Sequence, residues 1–106
     1  MMGQEQCGFR ALADPTRRSI LQLLASRDMT ITEVAENFEM TRAAVKKHLT
    51  ILHEGDLISV HVEGRSRVNA LNPQGIRRVF DWFRYFDAFW DDRLHKLKSE
   101  IEKGMQ

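Results

Sequence analysis

At 106 residues, 42% of them hydrophobic, the chain has material for one small domain with a limited core. A net charge of +1 gives no strong field for polyanions, and the single cysteine, Cys7, excludes an intrachain disulfide and fits a reducing compartment. No apolar run approaches the roughly 20 residues of a membrane span, and Met1-Met2-Gly3-Gln4 lacks the charged-then-apolar pattern of a signal peptide, so a soluble cytoplasmic protein is expected.

A first helix is expected from about Gln4 to Ala13, anchored by Phe9 and Leu12. It stops at Asp14-Pro15, because the residue before proline is pushed out of the helical region. The same pair opens a second helix to about Ser26, with Asp14 as cap, Pro15 at the first helical position and Ile20, Leu21, Leu23 and Leu24 as its buried stripe. Arg27-Asp28-Met29 reads as a loop. Thr30-Ile31-Thr32-Glu33 has capping-box spacing, and Val34, Ala35 and Phe38 give a short third helix its inner face.

Thr41 caps a fourth helix in which Val45, Leu49 and Leu52 fall on one side. Ala43, Lys47 and Thr50 lie roughly opposite, with Arg42 and Lys46 beside them. After Gly55-Asp56 the period changes from 3.6 to two. Ile58, Val60 and Val62 alternate with Ser59, His61 and Glu63, while Val68 and Ala70 alternate with Arg67 and Asn69. Glu63-Gly64-Arg65-Ser66 between them reads as a tight hairpin loop. Asn72-Pro73 repeats the cap-then-proline pattern and opens a last helix of up to about 30 residues.

Seven of the nine aromatic residues fall between Phe80 and Trp90. Ile76, Phe83, Phe86, Trp90, Leu94, Leu97 and Ile101 form a stripe that Trp82, Tyr85 and Phe89 widen. A small monomer has too little core to bury both faces, which points to a partner surface, met most simply by an identical subunit about a two-fold axis. A wide core-facing stripe in a monomer is the alternative.

The fold expected is mainly α with a small β-hairpin, a winged helix-turn-helix in the order α-α-α-α-β-β-α. One domain spans residues 1–106, with a helix-turn-helix from Thr30 to Glu54, a wing from Leu57 to Leu71 and a dimerisation helix from Pro73 to Lys103. From Thr41 to Arg67 there are five Lys/Arg residues against three acids (Glu54, Asp56, Glu63). A cationic helix with small residues at its start suits a major groove, and a hairpin tipped by arginines can reach phosphates or the minor groove beside it.

The chain resembles the ArsR-type family of winged-helix transcriptional regulators through Phe9-Arg10-Ala11-Leu12-Ala13-Asp14-Pro15-Thr16-Arg17-Arg18-Ser19-Ile20-Leu21, Val45-Lys46-Lys47-His48-Leu49-Thr50-Ile51-Leu52 and Gly64-Arg65. The closing Asp81-Trp82-Phe83 and Phe89-Trp90-Asp91-Asp92-Arg93-Leu94 are similar to the branch without the family's metal ligands, whose members act as autorepressors or accompany lipocalin-like genes. Two positions depart from the family pattern: Lys46 stands where serine is common, and Gly55-Asp56 where Ala-Gly is common. The resemblance implies a homodimer with two recognition helices set for successive major grooves of a near-palindromic operator, its half-sites roughly 34–36 Å apart. Its usual role is promoter occlusion, so double-stranded DNA and a second copy of the chain are the expected partners.

Expected DNA contacts are Thr41, Arg42, Ala43, Ala44, Lys46, Lys47, His48 and Thr50 of the fourth helix, with Arg65 and Arg67 of the hairpin. Lys47 and Thr50 are the candidates for base edges. Ala43 and Ala44 permit close approach, and Thr41 is a cap whose hydroxyl can also touch phosphate. His48 sits at the stripe edge, where a packed histidine and a phosphate contact are both open. Arg17 and Arg18 lie in a first helical turn, where the dipole disfavours cations, and need an internal carboxylate or a DNA phosphate. The expected dimer interface comprises Phe9, Leu12, Phe83, Phe86, Phe89, Trp90, Leu94 and Leu97.

No metal and no cofactor is expected. Related metal sensors place cysteines in the third helix, and Ile31 to Glu39 contains none. Their last-helix site uses Asp-x-His and a later His-x-x-Glu, whereas Asp87 is followed two residues on by Phe89, and His95 three residues on by Lys98. Cys7 is read as a buried inert thiol, with a disulfide across a dimer geometrically open. No nucleophile elbow, phosphate-binding glycine loop or complete zinc motif suggests an enzyme. Two other readings compete with a repressor: a winged-helix module whose aromatic helix binds another protein, and a regulator released from DNA by an apolar small-molecule effector.

Overall fold

The computed structural model describes residues 4–104, so Met1, Met2 and Gly3 of the expected leader-free start lie outside the described residues. The elements are α1 (Gln4–Leu12), α2 (Pro15–Ser26), β1 (Met29–Thr30), α3 (Ile31–Ala35), α4 (Arg42–Glu54), β2 (Ile58–Glu63), β3 (Ser66–Leu71), α5 (Pro73–Arg84) and α6 (Asp87–Gly104). The expected winged helix-turn-helix is present.

Local caps set the helix starts. The backbone N–H of Arg17 donates to the Asp14 carboxylate at 3.0 Å. Thr30 and Glu33 form the reciprocal capping box, and the Ala44 N–H donates to Thr41 Oγ1 at 3.1 Å. Each such cap contributes about 1 kcal/mol. Ile20 and Leu24 from α2, Val34 from α3, Val45, Leu49 and Leu52 from α4, and Leu57 and Ile58 then meet in one core. Burying a side chain of this size stabilises by about 1.5–3 kcal/mol, so the inward stripe of α4 decides which of its faces remains outside.

Four expectations need correction. Met29, read as loop, begins β1, which pairs antiparallel with β3 through Met29↔Asn69 and Thr30↔Val68. The sheet order is therefore β1-β3-β2, and β3 is central. Asn69, grouped with Arg67 in the alternation against Val68 and Ala70, is buried and donates its side-chain amide to the Met29 carbonyl at 3.2 Å. Helix α3 ends at Ala35, and Phe38 follows it on i→i−3 hydrogen bonds, half-buried against the core.

The last helix is not continuous from Pro73 to Lys103. It breaks at Tyr85 and Phe86, whose N–H groups bond to carbonyls three residues back, before the Trp90 N–H resumes the four-residue pattern on Phe86. No proline or glycine causes this. Trp82, Phe83, Tyr85 and Phe86 crowd their rings at centroid distances of 5.1–5.3 Å, and aromatic side chains lose rotamer freedom against the preceding helical turn. Asp87 then suits the positive end of the new helix.

Helix α5 rests on α1 through Phe9, whose ring stands edge-on to Trp82 at 5.3 Å and to Phe83 at 6.0 Å. Helix α6 carries no buried residue among those described, and Trp90, Leu94, Leu97 and Ile101 are each more than half exposed. No helix is long and apolar enough to cross a membrane among the described residues.

Candidate nucleic-acid interface

With Val45, Leu49 and Leu52 turned inward, α4 presents Arg42, Ala43, Lys46, Lys47 and Thr50 to solvent. Ala44 is half-buried at the capped end. The Thr50 hydroxyl donates back to the Lys46 carbonyl at 2.9 Å, leaving its oxygen lone pairs outward as acceptors.

The wing is the β2–β3 hairpin. Gly64, first of its two loop residues, has φ of 62°, the position at which a type II′ turn takes glycine, and Arg65 follows it at the tip. Arg65 and Arg67 are exposed, and beside them His61 Nε2 lies 3.0 Å from Glu63 Oε1. Between α4 and the wing runs a cleft of about 330 Å³. Arg42, Lys46 and Arg67 supply its cationic rim, and Ile31, Leu49 and Val60 its apolar lining. Asn69 and His53 also line it, and neither stood out in the sequence. Asn69 hid because its burial depends on β1, a strand too short to show a period.

The arginine–carboxylate pairs among the described residues lie away from the cations of this surface. Arg27 pairs with Glu33, Arg78 with Asp56, and Arg84 with Asp81. Arg93 lies over the Phe89 ring, 5.1 Å from its centroid. Among the described residues, no ion pair engages Arg42, Lys46, Lys47, Arg65 or Arg67. An uncompensated cationic cluster beside a groove-sized helix is suited to polyanions.

Arg17 and Arg18 answer the question of their missing anion. Arg17 Nε donates to the Ala11 carbonyl at 2.7 Å and its Nη2 to the Arg10 carbonyl at 3.0 Å, while Arg18 Nη1 donates to the Leu12 carbonyl at 2.7 Å. The compensating charge is the negative C-terminal end of α1, joined by the Asp14 carboxylate. His48 is drawn into the same cluster, its Nδ1 3.4 Å from Arg17 Nη1 and 3.9 Å from Asp14 Oδ2. This is the packed alternative for His48, which ties α4 to the α1–α2 corner. The Asp14 carboxyl is held below its ordinary value, chiefly by the Arg17 backbone N–H, with the Arg17 and His48 charges adding to it against an opposing effect of burial.

On the aromatic side, Phe83, Phe89, Trp90, Leu94 and Leu97 are exposed. Phe86 is half-buried, and Phe9 and Leu12 sit half-buried against the protomer's own core. Cys7 is half-buried rather than fully enclosed. Among the described residues no group of three or more His, Cys, Asp or Glu side chains is arranged to hold a metal ion.

Residues 14–60 match the family described as "Bacterial regulatory protein, arsR family". The chain is 37% identical over 86 residues to the transcriptional repressor SdpR of Bacillus subtilis (strain 168), covering 81% of this chain and 96% of that protein. It is likewise 37% identical over 86 residues to the HTH-type transcriptional regulator Rv2034 of Mycobacterium tuberculosis, covering 81% and 78% of the two. The crystal structure of an ArsR family transcriptional regulator, RHA00566, superposes with a TM-score of 0.75 at 32% identity, over 84% of this chain and 98% of that one.

Proposed function

The chain belongs to the ArsR family of bacterial regulatory proteins, and from that membership and the geometry of α4 and the wing we propose that it is a homodimeric, sequence-specific DNA-binding repressor that occludes a promoter in the cytoplasm. The observation that carries this reading is the set of five unpaired cations, Arg42, Lys46, Lys47, Arg65 and Arg67, on the outer face of a capped helix and its neighbouring hairpin. Helix α4 enters the major groove, with Thr41 and Ala44 at its start and Ala43, Lys47 and Thr50 toward base edges. Arg42, Lys46 and Arg67 line the cleft and take the backbone phosphates that run between groove and wing, while Arg65 reaches the next phosphates or the minor groove. Lys46, which stands where serine is common in the family, adds a charge to that rim.

The second copy of the chain covers the α5–α6 aromatic surface. Ten large hydrophobic side chains exposed at 45–84%, nine of them on α5, α6 and the Tyr85 turn between, are more than a monomer of this size leaves bare. The two recognition helices then face half-sites about one helical turn apart.

Binding to DNA of the protein's own promoter across a salt series tests the reading. With 6–10 phosphate contacts the affinity falls by roughly 10³–10⁵ between 50 and 200 mM salt. Undetectable binding at low salt, or binding indifferent to salt, rejects it.

A further inference from the structure

The turn between α4 and the wing is built in an uneconomical way. Asp56 has φ of 62° and is the lone non-glycine residue in the left-handed region among the described residues. Aspartate tolerates that region better than most residues, yet glycine occupies it without strain. What aspartate brings is a carboxylate. Its Oδ1 accepts a hydrogen bond from Asn72 Nδ2 at 3.0 Å, and its Oδ2 takes Arg78 Nη1. The Asp56 carbonyl accepts from the same Asn72 Nδ2 at 3.1 Å.

Asn72 shows the same diversion. It stands at the N-cap of α5, yet its side chain makes no capping hydrogen bond, because the amide is turned onto Asp56. Its backbone N–H donates to the Leu57 carbonyl at 2.9 Å, closing the root of the wing. Three residues on, Gly75 lies so close to the turn that a Cβ there would fall 1.6 Å from the Asp56 carbonyl oxygen. The end of α4, both roots of the wing and the first turn of α5 thus meet at one joint.

We propose that Asp56 is a positioning residue: its joint with Asn72 and Arg78 fixes the angle between the recognition helix α4 and the α5–α6 dimerisation segment, and so sets which half-site spacing the dimer accepts. This rests on the dimeric DNA-binding reading above. The lever is long enough to matter. Helix α4 is about 20 Å long. Over that length a rotation of roughly 10° displaces the helix tip by about 3.4 Å, one base-pair step.

The test uses the full chain, with Asp56→Gly keeping the turn and removing the carboxylate, and Asp56→Asn keeping the Oδ1 acceptor. Wild type and variants are titrated against a two-half-site operator, the same operator lengthened or shortened by one base pair, and a single half-site. Asp56→Gly is expected to stay folded and dimeric and to bind the single half-site like wild type. It should bind the full operator roughly tenfold more weakly and lose its preference for the natural spacing, because misaligned half-sites forfeit simultaneous engagement. Asp56→Asn should largely retain that preference.

Unchanged spacing preference in a folded, dimeric Asp56→Gly overturns the proposal, as does an equal loss on the single half-site. If Asp56→Gly does not fold, Asn72→Ala, which removes the amide that Asp56 Oδ1 accepts, takes its place under the same criteria. If wild type binds no two-half-site DNA, the underlying reading fails separately. The joint is then judged without DNA, from distances between nitroxides on Lys47→Cys of the two protomers in a Cys7→Ser background. A distribution that broadens with Asp56→Gly supports the joint, and an unchanged one rejects it.

Discussion

Asp14 serves two helices at once, and its chemistry sets a pH dependence. Its carboxylate accepts the Arg17 N–H at the start of α2, while Arg17 and Arg18 reach back to the last carbonyls of α1. Asp14→Ala removes the cap and is expected to cost about 1 kcal/mol at pH 7. Because the folded carboxyl sits below its ordinary value, its contribution is present above the unfolded pKa and is lost as pH falls through the folded one. The stability gap between wild type and Asp14→Ala should therefore be constant near neutrality and close below about pH 4; urea titrations across pH measure it, and a gap that widens in acid contradicts the assignment. Side chains on the outer face divide differently. Lys47→Ala should change sequence preference, having removed a donor aimed at base edges, whereas Arg65→Ala should weaken binding evenly across sequences and reduce the salt slope by about two, one for each protomer. Binding-site selection with both variants decides this, and the reverse ranking exchanges their roles.

Among the elements, strand β1 depends most on a single hydrogen bond outside the backbone ladder. Asn69 lies buried on the central strand and gives its side-chain amide to the Met29 carbonyl. Asn69→Ala leaves that carbonyl short of a donor and should cost roughly 1–3 kcal/mol, lowering Tm by on the order of 5–15 °C. Thermal unfolding checks it, and a change of a degree or less means that Met29 needs no such partner. This strand also marks the limit of what the sequence makes readable. Caps at Asp14, Thr30 and Thr41, the inward stripe of α4 and the Gly64 turn are written in spacing, because each is a contact between residues a few positions apart. Met29 pairing with Asn69 spans 40 residues, and Asn72 reaching Asp56 spans 16, so neither leaves a period. The break at Tyr85 and Phe86 was hidden for another reason: an aromatic run that satisfies helical periodicity carries no stop residue, and the crowding of its rings exists only in three dimensions. The outward cations of α4 were legible from period alone, whereas the inward turn of His48 required the position of Arg17.

At the scale of the molecule, the chain measures 66 × 33 × 22 Å, an elongation due largely to α6, whose 18 residues make a rod about 27 Å long. A helix with this apolar stripe and no packing partner gains little stability alone, since most helical stability in proteins comes from burying a face. The stripe offers a clean way to separate folding from assembly. Leu94 is 61% exposed and Leu97 54% exposed in the single chain, so a charge at either position removes nothing from the protomer's own core. Leu94→Glu should leave Tm at high dilution nearly unchanged. If α6 is covered by a second copy, the same substitution removes two buried leucines and demands burial of two carboxylates per dimer, a penalty of roughly 3–5 kcal/mol and a hundredfold or more in dimer affinity. Sedimentation equilibrium should then show one chain per particle at micromolar concentration. Operator binding should fall to the level of a single half-site, because two linked recognition helices gain their affinity from simultaneous engagement and lose it when uncoupled. Leu97→Glu repeats the test one helical turn along. A dimer that survives both substitutions places the two-fold axis away from α6, on the Phe9, Trp82 and Phe83 cluster, and the salt dependence of DNA binding by those variants would then match wild type.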